Sequence, residues 1–231
     1  MLSEANIFGP FLIIPFFLII AAIGGVYSAI AARKRREGLF ELAQRLNLEF
    51  SMEPDYGIAE QYQFLKKLAQ GDNRYACNIL SGKYQNDDIQ AFDYHYQVTT
   101  HDSKGSHTTH HRFSFFILQL PMCFPDLTIR RENFLLKVAE VFGYQDIKFE
   151  SAEFSRAFCV RTSDKKFAYD VCNAKTMEYL LDNRDLSIEI ENQALALAFD
   201  SCLSPAQIES NLQRLVQFRS LMPDYLFTQN V

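Results

Sequence analysis

Residues 7–32 carry no charged side chain, and a run of that length leaves a chain few ways to fold. Fourteen of these positions are Ile, Leu, Phe or Val, each contributing about −0.3 to −0.6 kcal/mol at mid-bilayer, or roughly −4 to −8 kcal/mol together. The run exceeds the ~20 residues that a hydrocarbon core requires, so it reads as a single membrane-spanning helix. Pro10 and Pro15 set its start, because proline is tolerated in a first turn whose N–H groups are unpaired anyway. Arg33, Lys34, Arg35 and Arg36 form its exit, against Glu4 alone on the other flank. The positive-inside rule then expects the N-terminus outside and the remaining chain in the cytoplasm. A cleaved signal peptide is the rival, since Ala29-Ile30-Ala31 matches a small-x-small site. The absent basic leader and the length of the run argue against it.

Small residues recur four apart at Ala21, Gly25 and Ala29, and again at Gly24, Ser28 and Ala32. That spacing lets two helices approach closely, so a homodimer through Ala21, Gly25 and Ala29 is one expected partnership beside the lipid bilayer.

Three segments follow: the span at 7–32, a basic helical extension at 33–47, and a globular body at 48–231. The chain holds 23 Lys+Arg and 28 Asp+Glu, of which four and one lie in the first 36 residues. The body therefore carries 19 basic and 27 acidic groups, a net of −8. An acidic body lacks the footprint that neutralises phosphates along a duplex, which excludes a nucleic-acid partner. Twenty-one Phe supply an aromatic core. Five Cys, widely spaced and without a C-x-x-C, fit a reducing compartment better than a disulfide framework.

Along the body, Leu39, Leu42, Ala43 and Leu46 fall on one helical face. Residues 48–52 read as a short extended segment, and 57–68 as a short helix or loop. Residues 75–80 and 88–99 read as strands about a turn at Ser81-Gly82; in the second, Phe92, Tyr94, Tyr96 and Val98 alternate with polar residues. Residues 100–111 read as a polar loop, 112–120 as a central strand and 127–130 as a fourth strand. Helices are expected over 133–142, ended by Gly143, and over 164–181, with a hairpin over 186–190 and 194–199. The last helix has Ser204 as cap, Pro205 in its first turn and Gln207 completing a capping box, with Ile208, Leu212, Leu215 and Met222 on the buried side. The class is α+β: a membrane-spanning helix, then a cytosolic domain of antiparallel strands packed with helices.

Chemistry-bearing clusters are few. His95, His101, His107, His110 and His111 are all the histidines in the chain. Imidazoles suit zinc, copper or nickel and titrate near neutrality. Their spacing matches no metal motif, and a polar loop offers little rigid support. Asp93 and His95 are two apart on a strand, hence on one face, and form a candidate orienter and base with Ser114 or Cys123 as nucleophile. The simpler reading places both on a solvated face. Glu189 and Glu191 read as paired surface carboxylates. No Gly-rich phosphate loop, G-x-S-x-G, H-E-x-x-H or calcium loop occurs, so no cofactor and no catalytic residue is assigned.

The motifs Asn78-x-x-x-Gly82, Phe92-Asp93-Tyr94-His95-Tyr96, Pro125-x-Leu127-x-Ile129-Arg130-x-Glu132, Asp146-Ile147-x-Phe149 and Phe154-Ser155-x-x-Phe158 resemble a family of uncharacterised bacterial single-pass membrane proteins. Arg131 stands where such proteins often have Pro. The resemblance implies a place at the bacterial inner membrane and carries over no activity. The expected function is that of a membrane-anchored cytosolic accessory or protein-interaction domain, whose protein partner the sequence does not name. The alternatives are an enzyme at the membrane or a sensor built on the histidine loop.

Overall fold

A computed structural model describes residues 9–102, 105–131 and 147–228. Helix α1 (Gly9–Leu46) runs unbroken for 38 residues. Strand β1 (Glu49–Ser51) and the short helix α2 (Gly57–Gln61) lead into three long strands: β2 (Asp72–Tyr84), β3 (Asp87–Asp102) and β4 (Gly105–Arg131). Helix α3 (Ala152–Ala157), strand β5 (Phe158–Thr162), helices α4 (Lys165–Val171) and α5 (Ala174–Asp182), strand β6 (Ile188–Ala198) and helix α6 (Pro205–Leu221) follow, closed by a 3-10 turn at Asp224–Phe227.

All the pairings are antiparallel, in the order β1-β2-β3-β4, with β5 and β6 both on β4. Phe115 to Leu118 of β4 pair with β3 and β6 at once, and Leu127 to Ile129 with β5 and β6. A strand has two edges, so β3 and β5 share one edge of β4 and β6 holds the other. Side-chain alternation sends Phe92, Tyr94, Phe113, Phe115, Ile117, Ala194 and Ala196 into one core and Ala91, Phe116, Leu118, Leu195 and Leu197 into a second. The first is covered by the segment around Ile58, Tyr62, Leu65 and Leu68; the second by α6 and the inner part of α1. The α+β reading therefore holds for the body.

The membrane-spanning helix does not. Among the described residues no helix is long and apolar enough to cross a membrane. From Ala21 to Ala32 the sequence holds five Ala with Gly24, Gly25, Tyr27 and Ser28 against three aliphatic residues, Ile23, Val26 and Ile30, before the four cations. The span expected over 7–32 is corrected to the outer part of one continuous helix. The transmembrane and single-pass descriptions fall with it, and the expected topology and inner-membrane location rested on that span.

The inner part of α1 is anchored instead in the body. Leu39, Leu42 and Ala43 are fully buried, and each Leu contributes about 1.5–3 kcal/mol of burial. Gly38 lets α6 approach: a Cβ there would meet Pro205 Cγ at 3.0 Å. Arg45 adds a bidentate pair to Glu209 at 2.6 and 2.8 Å.

Several boundaries move for identifiable reasons. The turn is not at Ser81-Gly82. β2 continues to Tyr84, and Gln85 and Asn86, both at positive φ, make the two-residue turn. Of the loop expected over 100–111, residues 100–102 and 105–111 instead continue the ladder, with β-branched pairs such as Thr99 and Thr108 facing each other at 3.0 Å between hydroxyls. The helix expected over 164–181 is split, because Asn173 takes extended backbone and caps α5 by accepting from the Lys175 and Thr176 N–H groups. The expected hairpin over 186–199 is one bulged strand, β6, with Asn192 at φ 52°. The last helix has the expected capping box. The helix expected over 133–142 with its Gly143 stop, Glu132 and Asp146 lie outside the described residues.

Candidate functional site

The basic cluster at 33–36 is divided by the structure among different tasks. Arg33 pairs with Glu37 on the exposed side of α1 at 2.9 Å, and Lys34 is exposed. Arg35 points inward. It lies four, seven and eight residues before Leu39, Leu42 and Ala43, so the helical repeat sets it on the buried face. Its Nη1 and Nη2 donate to Asp93 Oδ2 and Oδ1 at 2.6 and 2.8 Å, and its Nε donates to the Leu203 carbonyl at 2.8 Å. Burial pulls the Arg35 pKa down, but hydrogen bonding to Asp93 and its charge more than offset this, leaving it raised.

Asp93 is the centre of this network. Asn78 Nδ2 donates to Oδ2 at 2.8 Å and Ser114 Oγ to Oδ1 at 2.9 Å. Ser114 Oγ in turn accepts from the Leu203 N–H at 2.9 Å. Cys77, Asp93 and Ser114 are register partners on three adjacent strands, as are Tyr75, His95 and Arg112 for the middle and outer ones. Of these rows Tyr75, Cys77, Asp93, His95 and Arg112 line a cleft of about 520 Å³, together with Ala32, Arg35 and Arg36 of α1, the 52–54 segment and Cys202.

Asp93 and His95 do share this face, but both are buried, not solvated. They also do not form a dyad. His95 Nδ1 faces the Asn73 carbonyl at 3.2 Å and Nε2 faces His110 Nδ1 at 3.1 Å, while its ring stacks on Tyr75 at 4.6 Å. Burial, then Arg112, His110 and His111, hold its pKa below the ordinary imidazole value, partly opposed by the Asn73 carbonyl. Ser114 Oγ is occupied by Asp93 and Leu203. Cys123 is exposed on β4 and does not line the cleft. The Cys77 thiol is pushed up by burial and by Asp93, and Cys202 by burial and then Asp93 to about 11.

The remaining histidines separate. His111 stacks on Tyr96 at 4.6 Å, and His101 and His107 are exposed further out on the β3–β4 ribbon. Among the described residues no three His, Cys, Asp or Glu side chains converge on a metal position. Glu189 is not a surface carboxylate: it is buried, accepts from the Lys66 N–H at 2.8 Å and has Arg130 3.8 Å away. Glu191 is half-buried beside it.

No protein-family model and no curated protein matches the sequence. Among solved structures the chain is similar to the mycobacterial trehalose monomycolate transport factor A, TtfA. The match has a TM-score of 0.61 and 12% identity, over 81% of this chain and 92% of that one. At that identity the likeness shows the fold alone. It spans most of both chains, so the sheet and its covering helices form a shared architecture.

The sequence reading missed Arg35 and Asn78. The signal for Arg35 was its place one turn before the buried Leu stripe. For Asn78 it was a polar residue interrupting an apolar strand, where φ of 50° and a slip in register mark a bulge.

Proposed function

We propose that the protein is an accessory domain without chemistry of its own, which presents the outer part of α1 to a protein partner. One observation carries this. Phe17, Ile19, Ile23, Val26, Tyr27 and Ile30 are 59–75% exposed on one helix, whose foot is clamped to the sheet by the Arg35–Asp93 pair. A monomer rarely leaves so many large apolar residues uncovered on one element, and such patches mark interaction surfaces. A clamped helix presents them at a fixed angle, which lowers the ordering cost of binding. The groups that an acyl-transfer or acid–base reading needs are already engaged: Asp93 with Arg35, Ser114 with Asp93 and Leu203, and His95 with Asn73 and His110. The similar protein is a transport factor by name, which is in keeping with an accessory role.

The test is a photo-crosslinking amino acid at Tyr27, the most exposed of these positions, against the same group at exposed Glu178 on α5. The expected result is a discrete protein adduct from position 27 that is absent from position 178. Equal labelling at both, or none at 27, removes the reading.

A further inference from the structure

His95 and His110 meet across the β3–β4 pair, and the hydrogen bonds around them fix where each proton sits. The His95 side chain is buried. Its Nδ1 lies 3.2 Å from the Asn73 carbonyl, which can only accept, so Nδ1 carries the proton and donates. A neutral imidazole has one N–H, which leaves Nε2 as an acceptor. His110 Nδ1, 3.1 Å away, must then carry its own proton and donate to it. This arrangement holds whether or not His110 Nε2, on the far side of its ring, is protonated. It does not tolerate a proton on His95 Nε2, which would set two N–H groups against each other with no acceptor between them.

The surroundings of His95 oppose the same proton. Burial does so first, then Arg112, its register partner on β4, with His110 and His111. From β2 it faces the Tyr75 ring, stacked at 4.6 Å, and the Asn73 carbonyl, with Cys77 in the same cleft. The Asn73 carbonyl favours the charged ring, yet it stays bonded to Nδ1 in either state. From α1, Arg35 and Arg36 line the cleft, as does Glu53 of the 52–54 segment; Asp93, two residues along β3, is paired with Arg35. His110, by contrast, is exposed and can turn its ring to water. Beyond its register partner Gln97 the pairing with β2 ends. Residues 98–102 and 105–109 then project as an exposed two-stranded ribbon. The His95–His110 bond braces the root of that ribbon on the cleft face. On the other face Tyr96 stacks on His111 and donates to Gln70 Oε1 at 3.0 Å.

We propose that the His95–His110 contact is a proton-operated latch at the root of the β3–β4 ribbon. It is closed while His95 Nε2 accepts from His110. It opens in acid, when Nε2 takes up a proton, the His110 ring turns to solvent and the ribbon loses its brace on the cleft face. The backbone ladder between β3 and β4 does not titrate and persists in both states. The latch does not depend on what engages the outer part of α1.

The chain has five histidines, few enough for a long-range proton–nitrogen NMR titration of the full chain in the presence of a chelator. At pH 7.5 His95 is expected as the Nδ1–H tautomer, with a proton on His110 Nδ1. On acidification His95 should titrate below its ordinary 6.5, and the nuclear Overhauser contact between the two rings should vanish over the same interval. His110→Gln separates a latch from a buried ring that merely resists charge. Its side chain offers an N–H to the bare Nε2 and, turned over, a carbonyl to the protonated one. His95 should therefore bind its proton about tenfold more tightly in that variant. His101→Gln, further out on the ribbon, should leave His95 unchanged. Hydrogen exchange at the 98–102 and 105–109 amides, corrected for intrinsic pH effects, should rise about tenfold as His95 titrates in the wild type. It should stay flat in His110→Gln and be raised already at pH 7.5 in His110→Ala. His110 is exposed, so these variants keep the core intact. The opposite tautomer at His95, an unchanged His95 titration in His110→Gln, or ribbon exchange that does not follow the His95 titration overturns the latch.

Discussion

Asp93 and Glu189 are both carboxylates buried in one sheet, yet the protein treats them in opposite ways. Asp93, on the face under α1, receives two N–H groups from Arg35, one from Asn78 and a hydroxyl from Ser114. Glu189, under the segment that carries Lys66, receives a single backbone N–H on Oε1, and its Oε2 has no hydrogen-bond partner. Arg130 is 3.8 Å away, a weak substitute for a forked contact. Burial alone therefore does not decide what a carboxylate does; the number and geometry of donors around it does. The well-supplied group joins a helix to a sheet. The under-supplied one is pushed by burial toward its protonated form, only partly opposed by the Lys66 N–H and Arg130.

The sharpest way to break this contrast is to remove Asp93. Asp93→Ala leaves the Arg35 guanidinium, the Asn78 amide and the Ser114 hydroxyl without their acceptor. We expect a loss of about 3 kcal/mol, near the lower end for breaking a buried pair because Arg35 can still reach water. A urea melt followed by circular dichroism measures it, as a lower midpoint at unchanged slope. Next in size, a double-mutant cycle of Arg35→Gln with Asp93→Asn should give a coupling of about 1.5–3 kcal/mol, the range for hydrogen bonds to charged groups. A coupling near zero would mean that Asp93 is held by Asn78 and Ser114 without Arg35.

The pair that makes the largest prediction was half visible in the sequence. The stripe Leu39, Leu42, Ala43, Leu46 reads as a buried face, and one more turn back reaches Arg35. In the sequence it groups with Arg33, Lys34 and Arg36, because four adjacent cations after an apolar run read as a membrane exit. Helical geometry sends those four side chains in four directions, and composition does not record direction. The alternation along β3 puts Asp93 and His95 on one face, but whether that face is solvated depends on α1 crossing it, a contact 58 residues distant in the chain. The capping box at Ser204 and Gln207 was fully legible, since both its partners are local. The split at Asn173 and the bulge at Asn192 were not, because tertiary contacts choose among the conformations that Asn tolerates.

Glu189→Gln tests the other member of the comparison. The amide keeps an oxygen for the Lys66 N–H and removes a charge that burial disfavours, while the Arg130 attraction is lost. The net change at neutral pH should be within about 1 kcal/mol, far below that of Asp93→Ala. The pH dependence carries more information. The folded pKa of Glu189 is raised above its ordinary 4.5, so over the interval between the two values the native state holds more proton than the unfolded chain. The associated stability is present in acid and is lost as pH rises from 4.5 through the folded value. Relative to wild type, Glu189→Gln should gain stability as pH rises over that interval. Urea midpoints of both proteins at pH 4.5 and 7.5 check this, and parallel curves would show that burial does not tilt this group.

Asp185 gives the smallest effect and the opposite sign. Arg214 Nη1 donates to its Oδ2 at 2.9 Å, and this hydrogen bonding holds the carboxyl below its ordinary 3.8 despite partial burial. The folded value is depressed, so the stability is present above 3.8 and is lost as pH falls through the folded value. The Asp185 side chain is 65% exposed, and water screens most of the attraction, which limits Asp185→Asn to under about 1 kcal/mol at neutral pH. Added salt should shrink that loss further, whereas the Asp93 coupling, shielded between α1 and the sheet, should change little. Thermal melts of Asp185→Asn and Asp93→Ala at low and high salt compare the two directly. An equal salt response would place the Arg35–Asp93 pair in the same solvated class as Arg214–Asp185, and α1 would then be held by its Leu39, Leu42 and Ala43 packing with the Arg45–Glu209 pair.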